Sequence, residues 1–69
     1  MDHLQISMAA ARVNANLTQA ALAELMGVTR ATVINWENGK TAPGIPETKL
    51  FASIVGIPYD HIFFPMKST

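Results

Sequence analysis

Residues 17–40 read LTQAALAELMGVTRATVINWENGK, and this run decides the fold. Thr18 is a good N-cap, because its hydroxyl can accept from an unpaired amide of a first helical turn. Leu22, Ala23 and Met26 then fall on one side of a short helix over Gln19–Met26. Gly27 supplies the positive φ that ends it. Thr29 caps a second helix at once, with Val28, Val33 and Trp36 facing inward until Asn38 and Gly39 break the run. Two short helices joined by about three residues need to cross closely. Small Ala23, Gly27 four positions on, and apolar Val28 leave room for that. The spacing predicts a helix-turn-helix.

Outward from this unit, Leu4, Met8, Ala11 and Ala15 repeat at i, i+4, i+7 and i+11, one stripe of a first helix. Asp2 with Gln5 is expected to cap its start, and Asn16, which tolerates the left-handed conformation, to end it. Beyond the Pro and Gly stretch of Thr41 to Pro46, Pro46 suits a first helical position and Glu47 a helix N-terminus. Leu50, Phe51 and Ile54 are the predicted buried stripe of this fourth helix, closed by Gly56. Pro58 introduces a predicted fifth helix, Tyr59 to Phe64, with Ile57, Ile62 and Phe63 available to cover the core and Pro65 ending it. No period-two alternation of β-branched residues is present, so no sheet is expected. The expectation is an all-α fold of five short helices in one domain over residues 1–69. Its compact core spans about 4–64, and 65–69 form a flexible tail.

Composition narrows the function classes. A chain of 69 residues that is 49% hydrophobic and has no cysteine holds no disulfide framework and no thiolate site, which points to a reducing, cytoplasmic compartment. No apolar stretch approaches the roughly 20 residues that span a bilayer, and 1–10 lack the pattern of a signal peptide. A domain this small buries only about 60% of the surface of its unfolded chain, so pairing of subunits is expected. Five Lys and Arg balance five Asp and Glu, so any case for nucleic acid rests on where the charges sit.

The LTQ start, the Ala, Gly and Val spacing and the WENGK end together resemble the lambda-repressor-like helix-turn-helix domain of phage repressors, Cro proteins and related XRE-type bacterial regulators. The resemblance extends over about residues 4–64. It implies double-stranded DNA as partner, with base readout at positions matching Arg30, Ala31 and Asn35 and backbone contact at positions matching Gln19 and Lys40. It also implies an ion pair between Arg12 and Glu37, which as residues alone read equally as two solvated charges. The chain departs from its relatives where they carry several Lys or Arg: it has Ala10, Ala11 and Val13 in the first helix and Ala42, Pro43 and Gly44 in the loop after the third.

The residues themselves support the same sorting. Arg30, Ala31, Ile34, Asn35 and Asn38 share the outward face of the third helix. A guanidinium fork suits guanine O6 and N7, an Asn amide suits adenine N6 and N7, and Ala31 or Ile34 suits a thymine methyl. Gln19, Thr32, Asn38 and Lys40 are expected to meet phosphates, with Asn38 reading equally as a helix C-cap alone. An Arg opening a helix opposes the macrodipole, which argues for an anionic partner at Arg30. Trp36 reads as core. His3 and His61 stand apart from any cluster at metal spacing, so no metal site is expected. The acids sit singly at helix starts or exposed faces, with no catalytic constellation, no phosphate loop, and no cofactor or small-molecule ligand implied. Ile62, Phe63 and Phe64 carry more apolar bulk than a short helix can turn inward, and are either core or the interface of a homodimer on a palindromic operator. The expected function is a transcriptional regulator, most simply a repressor that excludes polymerase. The rival is a protein-interaction module, an antitoxin or adaptor that keeps the fold and presents its neutral surface to a protein.

Overall fold

In a computed structural model, residues 4–65 are described. The chain runs β1 (Ile6–Ser7), α1 (Met8–Asn14), α2 (Gln19–Met26), α3 (Arg30–Glu37), α4 (Ile45–Val55), a 3-10 turn (Tyr59–His61) and β2 (Ile62–Phe63). Four α-helices are therefore present among the described residues, where five were expected. The local signals of the middle of the chain explain the elements found there. Thr18 Oγ1 accepts from the Ala21 amide at 3.0 Å, and Thr29 Oγ1 accepts from the Thr32 amide at 3.2 Å. Gly27 ends α2 at φ 71°, and Asn16 takes φ 60° between α1 and α2. The Val28 amide donates to the Ala23 carbonyl at 3.0 Å, which folds the turn back onto α2 and lets α3 start across it.

The two ends of the chain differ from expectation. The first helix begins at Met8, capped by Ser7 accepting from the Ala10 amide at 3.0 Å. Leu4 matches the helical period but lies 89% exposed outside the helix. Asp2 and His3 fall outside the described residues, as do Met66 to Thr69. The predicted fifth helix is a single 3-10 turn followed by a strand, because Ile6 and Ser7 pair in parallel with Ile62 and Phe63. That pairing satisfies backbone groups of both ends that a helix over Tyr59–Phe64 would have bonded internally. A two-residue ladder leaves almost no period-two signal in the sequence.

The core gathers Met8 and Ala11 of α1, Leu22, Ala23 and Met26 of α2, Val33 and Trp36 of α3, Phe51, Ala52 and Val55 of α4, and Ile62 of β2. In α4 the buried face is rotated from the expected stripe: Thr48 is buried and Leu50 exposed. Thr48 tolerates burial because its hydroxyl donates to the Ile45 carbonyl at 2.8 Å. Pro46 occupies the second helical position, since α4 starts at Ile45. The aromatic tail splits by strand alternation. Ile62 is 2% exposed and fills the core, and Phe63 is 58% exposed. Phe64 packs edge-on to Phe51 with ring centroids 5.8 Å apart. Ile62 and Phe64 are therefore largely spent inside the fold, and Phe63, expected as cover for the core, is the exposed member.

This division makes a test of the C-terminal strand. Ile62→Ala removes a fully enclosed side chain and should cost about 2–5 kcal/mol in urea denaturation. Phe63→Ala should stay within roughly 0.5 kcal/mol, as surface changes do. The reverse order would mean that β2 does not close the core as described.

Candidate nucleic-acid interface

α3 has two sides by construction. Its eight residues bury Val33 and Trp36, and at 3.6 residues per turn this sends Arg30, Ala31 and Asn35 to the opposite side. Arg30 and Ala31 are exposed and Asn35 is half-buried, as is Ile34 beside it. Asn38 and Lys40 are exposed just beyond the helix, where Gly39 at φ 74° turns the chain away and the Lys40 amide donates to the Asn35 carbonyl at 2.9 Å. Arg30 thus stands at one end of the exposed face and Lys40 at the other. Asn38 does serve as the α3 C-cap, its amide donating to the Ile34 carbonyl at 2.9 Å while the Gly39 amide donates to the Trp36 carbonyl at 3.1 Å. The Thr32 hydroxyl lies 2.9 Å from that of Thr29, so it belongs to the N-terminal capping of α3. Trp36 is core, and among the described residues every buried side-chain nitrogen and oxygen has a partner.

Behind this face sits a polar cluster that fixes where α3 lies. Arg12 of α1 donates from Nε to Glu37 Oε2 at 2.7 Å and from Nη2 to Glu37 Oε1 at 3.3 Å. Its Nη1 donates to the Leu17 carbonyl at 2.9 Å, bracing the turn between α1 and α2. The side chains of Arg12 and Glu37 are only 14% and 6% exposed, so neither charge has water as an adequate substitute for the other. Gln19, the first residue of α2, donates from Nε2 to Glu37 Oε1 at 3.0 Å, and its Oε1 accepts from Arg30 Nη2 at 3.4 Å. Helices α1, α2 and α3 are therefore joined through one carboxylate.

Sequence reasoning placed Gln19 at a phosphate and did not connect it to Glu37 or Arg30. Nothing in a single sequence marks such a link, although a half-buried amide beside a buried carboxylate is chemically apt. Among the described residues no group of three or more His, Cys, Asp or Glu could hold a metal ion. None of the helices described is long and apolar enough to cross a membrane.

The Arg12–Glu37 pair carries a direct test. Glu37→Ala leaves the guanidinium partly buried without its counter-charge, and should cost about 3 kcal/mol. In a domain of this size that lowers the melting temperature by on the order of 12 °C or more. A loss under about 0.5 kcal/mol would place the pair with solvated surface pairs.

In comparison with known proteins, a family model described as Helix-turn-helix matches residues 8–62. No curated protein and no solved structure matches the chain.

Proposed function

The chain belongs to the lambda-repressor-like, XRE-type helix-turn-helix family of DNA-binding regulators, and from that premise we propose that it is a repressor binding a palindromic operator as a homodimer. The observation that carries the reading is the exposed face of α3, with Arg30 and Ala31 in the open, Asn35 beside them and Lys40 just past its end. Arg30 reads guanine through its fork, Asn35 reads adenine through its amide, and Ala31 lies against a thymine methyl. Lys40 and Asn38 contact phosphates, with Gln19 and Thr32 as nearer-buried contributors of register. A cytoplasmic chain occluding a promoter in this way needs no cofactor.

Pairing of subunits is supported by one observation. Phe63 and Tyr59 are exposed apolar residues that line one groove with Gln5 and Asp60, a surface suited to a second copy. On a palindromic operator the two α3 helices of such a pair would lie about 34 Å apart, one turn of the duplex. A single subunit has a small electrostatic grip, since Arg12 is committed to Glu37. If each subunit neutralises about three phosphates, raising salt from roughly 50 to 200 mM should cost the dimer about a thousandfold in affinity.

Selection of bound sequences from random DNA at modest salt is the deciding experiment. A two-fold symmetric motif is expected, with Arg30→Ala relaxing preference at one base pair per half-site by about 1–3 kcal/mol. Sequence-blind loss on that substitution would make Arg30 a phosphate contact instead. No enrichment at all would favour the protein-interaction module, an antitoxin or adaptor, for which the neutral charge balance speaks. Sedimentation at micromolar concentration reports pairing without DNA.

A further inference from the structure

The chain has four asparagines, Asn14, Asn16, Asn35 and Asn38, and Asn38 alone precedes a glycine. An asparagine is open to attack by its own backbone: the nitrogen of the next residue can close a five-membered ring on the side-chain carbonyl carbon, unless a side chain on that residue obstructs the approach. Gly39 carries none, and beyond its chain neighbours no atom lies within 4 Å of where a Cβ would stand. Asn38 is also exposed to the water and base that the reaction needs. Asn35, by contrast, is half-buried within α3 and followed by the bulk of Trp36.

The folded end of α3 holds this chemistry back. At φ −88° and ψ −2°, Asn38 sets the Gly39 nitrogen over its own amide nitrogen, turned away from its Cβ. The Gly39 amide hydrogen must leave before that nitrogen can attack, and it is donated to the Trp36 carbonyl at 3.1 Å. The Lys40 amide ties the chain down again, donating to the Asn35 carbonyl at 2.9 Å. Attack therefore requires the cap to open and ψ to rotate. Helix ends open locally, at far less free energy than global unfolding.

We propose that Asn38 is a site of spontaneous deamidation, gated by opening of the α3 C-cap. In the open state the Gly39 nitrogen loses its proton to hydroxide and bonds to Asn38 Cγ. The Cγ–Nδ2 bond breaks, and Nδ2 leaves as ammonia with a proton from water, giving a succinimide. Water then opens the ring at either carbonyl, leaving an aspartyl residue or an isoaspartyl link in which the main chain runs through Cγ. Water is the sole co-reactant and nothing is oxidised or reduced. Either product puts a negative charge at a helix C-terminus, where the macrodipole opposes it, and two residues from Lys40. The isoaspartyl link also lengthens the main chain by a methylene where the cap bonds close. The chemistry is independent of the DNA reading; its consequence for binding rests on that reading.

The full chain is incubated at mildly alkaline pH, folded and in guanidinium chloride, and then cleaved by trypsin after Arg30 and Lys40. The peptide over residues 31–40 holds Asn35 and Asn38 together, so fragment masses compare the two within one molecule. Conversion is expected at Asn38 and not at Asn35, and about 10- to 100-fold slower in the folded chain than in the unfolded one, as local opening sets it. Equal rates folded and unfolded would overturn the gate. A folded chain left intact by an incubation that converts the unfolded chain completely would overturn the site. For the effect on binding, Asn38→Asp stands in for the aspartyl product and Asn38→Ser for loss of the amide alone, with thermal unfolding confirming that both fold. On the DNA that the wild type selects, Asn38→Asp should bind about 2- to 5-fold more weakly per subunit than Asn38→Ser, the range of exposed charge interactions, and the gap should close at high salt. Equal binding would overturn the consequence. If the wild type selects no sequence, the DNA reading fails, while the peptide masses still decide the modification.

Discussion

The carboxylate of Glu37 accepts from α1 through Arg12 and from α2 through Gln19, and it belongs to α3 itself. An apolar core of Leu22, Val33 and Phe51 pulls three helices together but is indifferent to small rotations about their axes. Directional bonds are not. A bidentate guanidinium requires both carboxylate oxygens to lie near its plane, and this sets the rotation of α3 relative to α1. The same rotation decides which residues of α3 are exposed. The exposed face of α3 is thus oriented by a contact at the C-terminal end of the same helix.

Formal neutrality is a poor guide to such a surface. Arg12 and Glu37 cancel one another within the fold, and Glu37 is the one acid in α3. What remains around that helix is positive at both ends, Arg30 where it begins and Lys40 just after it stops. Acids such as Glu24 and Glu47 sit on α2 and α4. A sum over the chain counts all of these alike, whereas a partner meets only the face presented to it.

Much of this fold was legible because its decisive signals are local. The hydroxyls of Thr18 and Thr29 cap the helices they precede, and Gly27 and Asn16 take left-handed conformations that few residues adopt. The inward spacing of Val33 and Trp36 left only one side of α3 for Arg30, Ala31 and Asn35. The ends of the chain were not legible, for a physical reason. Leu4 obeys the helical period yet is excluded from the helix, because Ile6 and Ser7 have partners at the far end of the sequence. Periodicity senses neighbours, and a two-residue pairing between distant segments overrides it without a trace. The link through Gln19 was hidden on the same ground: its amide bonds to Glu37 and Arg30, both distant in sequence and adjacent only once α2 and α3 have crossed.

The parallel ladder of Ile6 with Ile62 and Ser7 with Phe63 joins the first strand to the last. Synthesis runs from the N-terminal end, so Ile6 emerges long before its partner exists and must wait while all four helices follow. Ile62 brings both the missing backbone bonds and a side chain that the core lacks until then. Loop-closure entropy rises only slowly with length, so the late arrival of that partner is a matter of timing more than of free energy. Without Ile62 the helices would surround an unfilled part of the core. The ladder is thereby a latch that closes only after the helices between its two strands are in place.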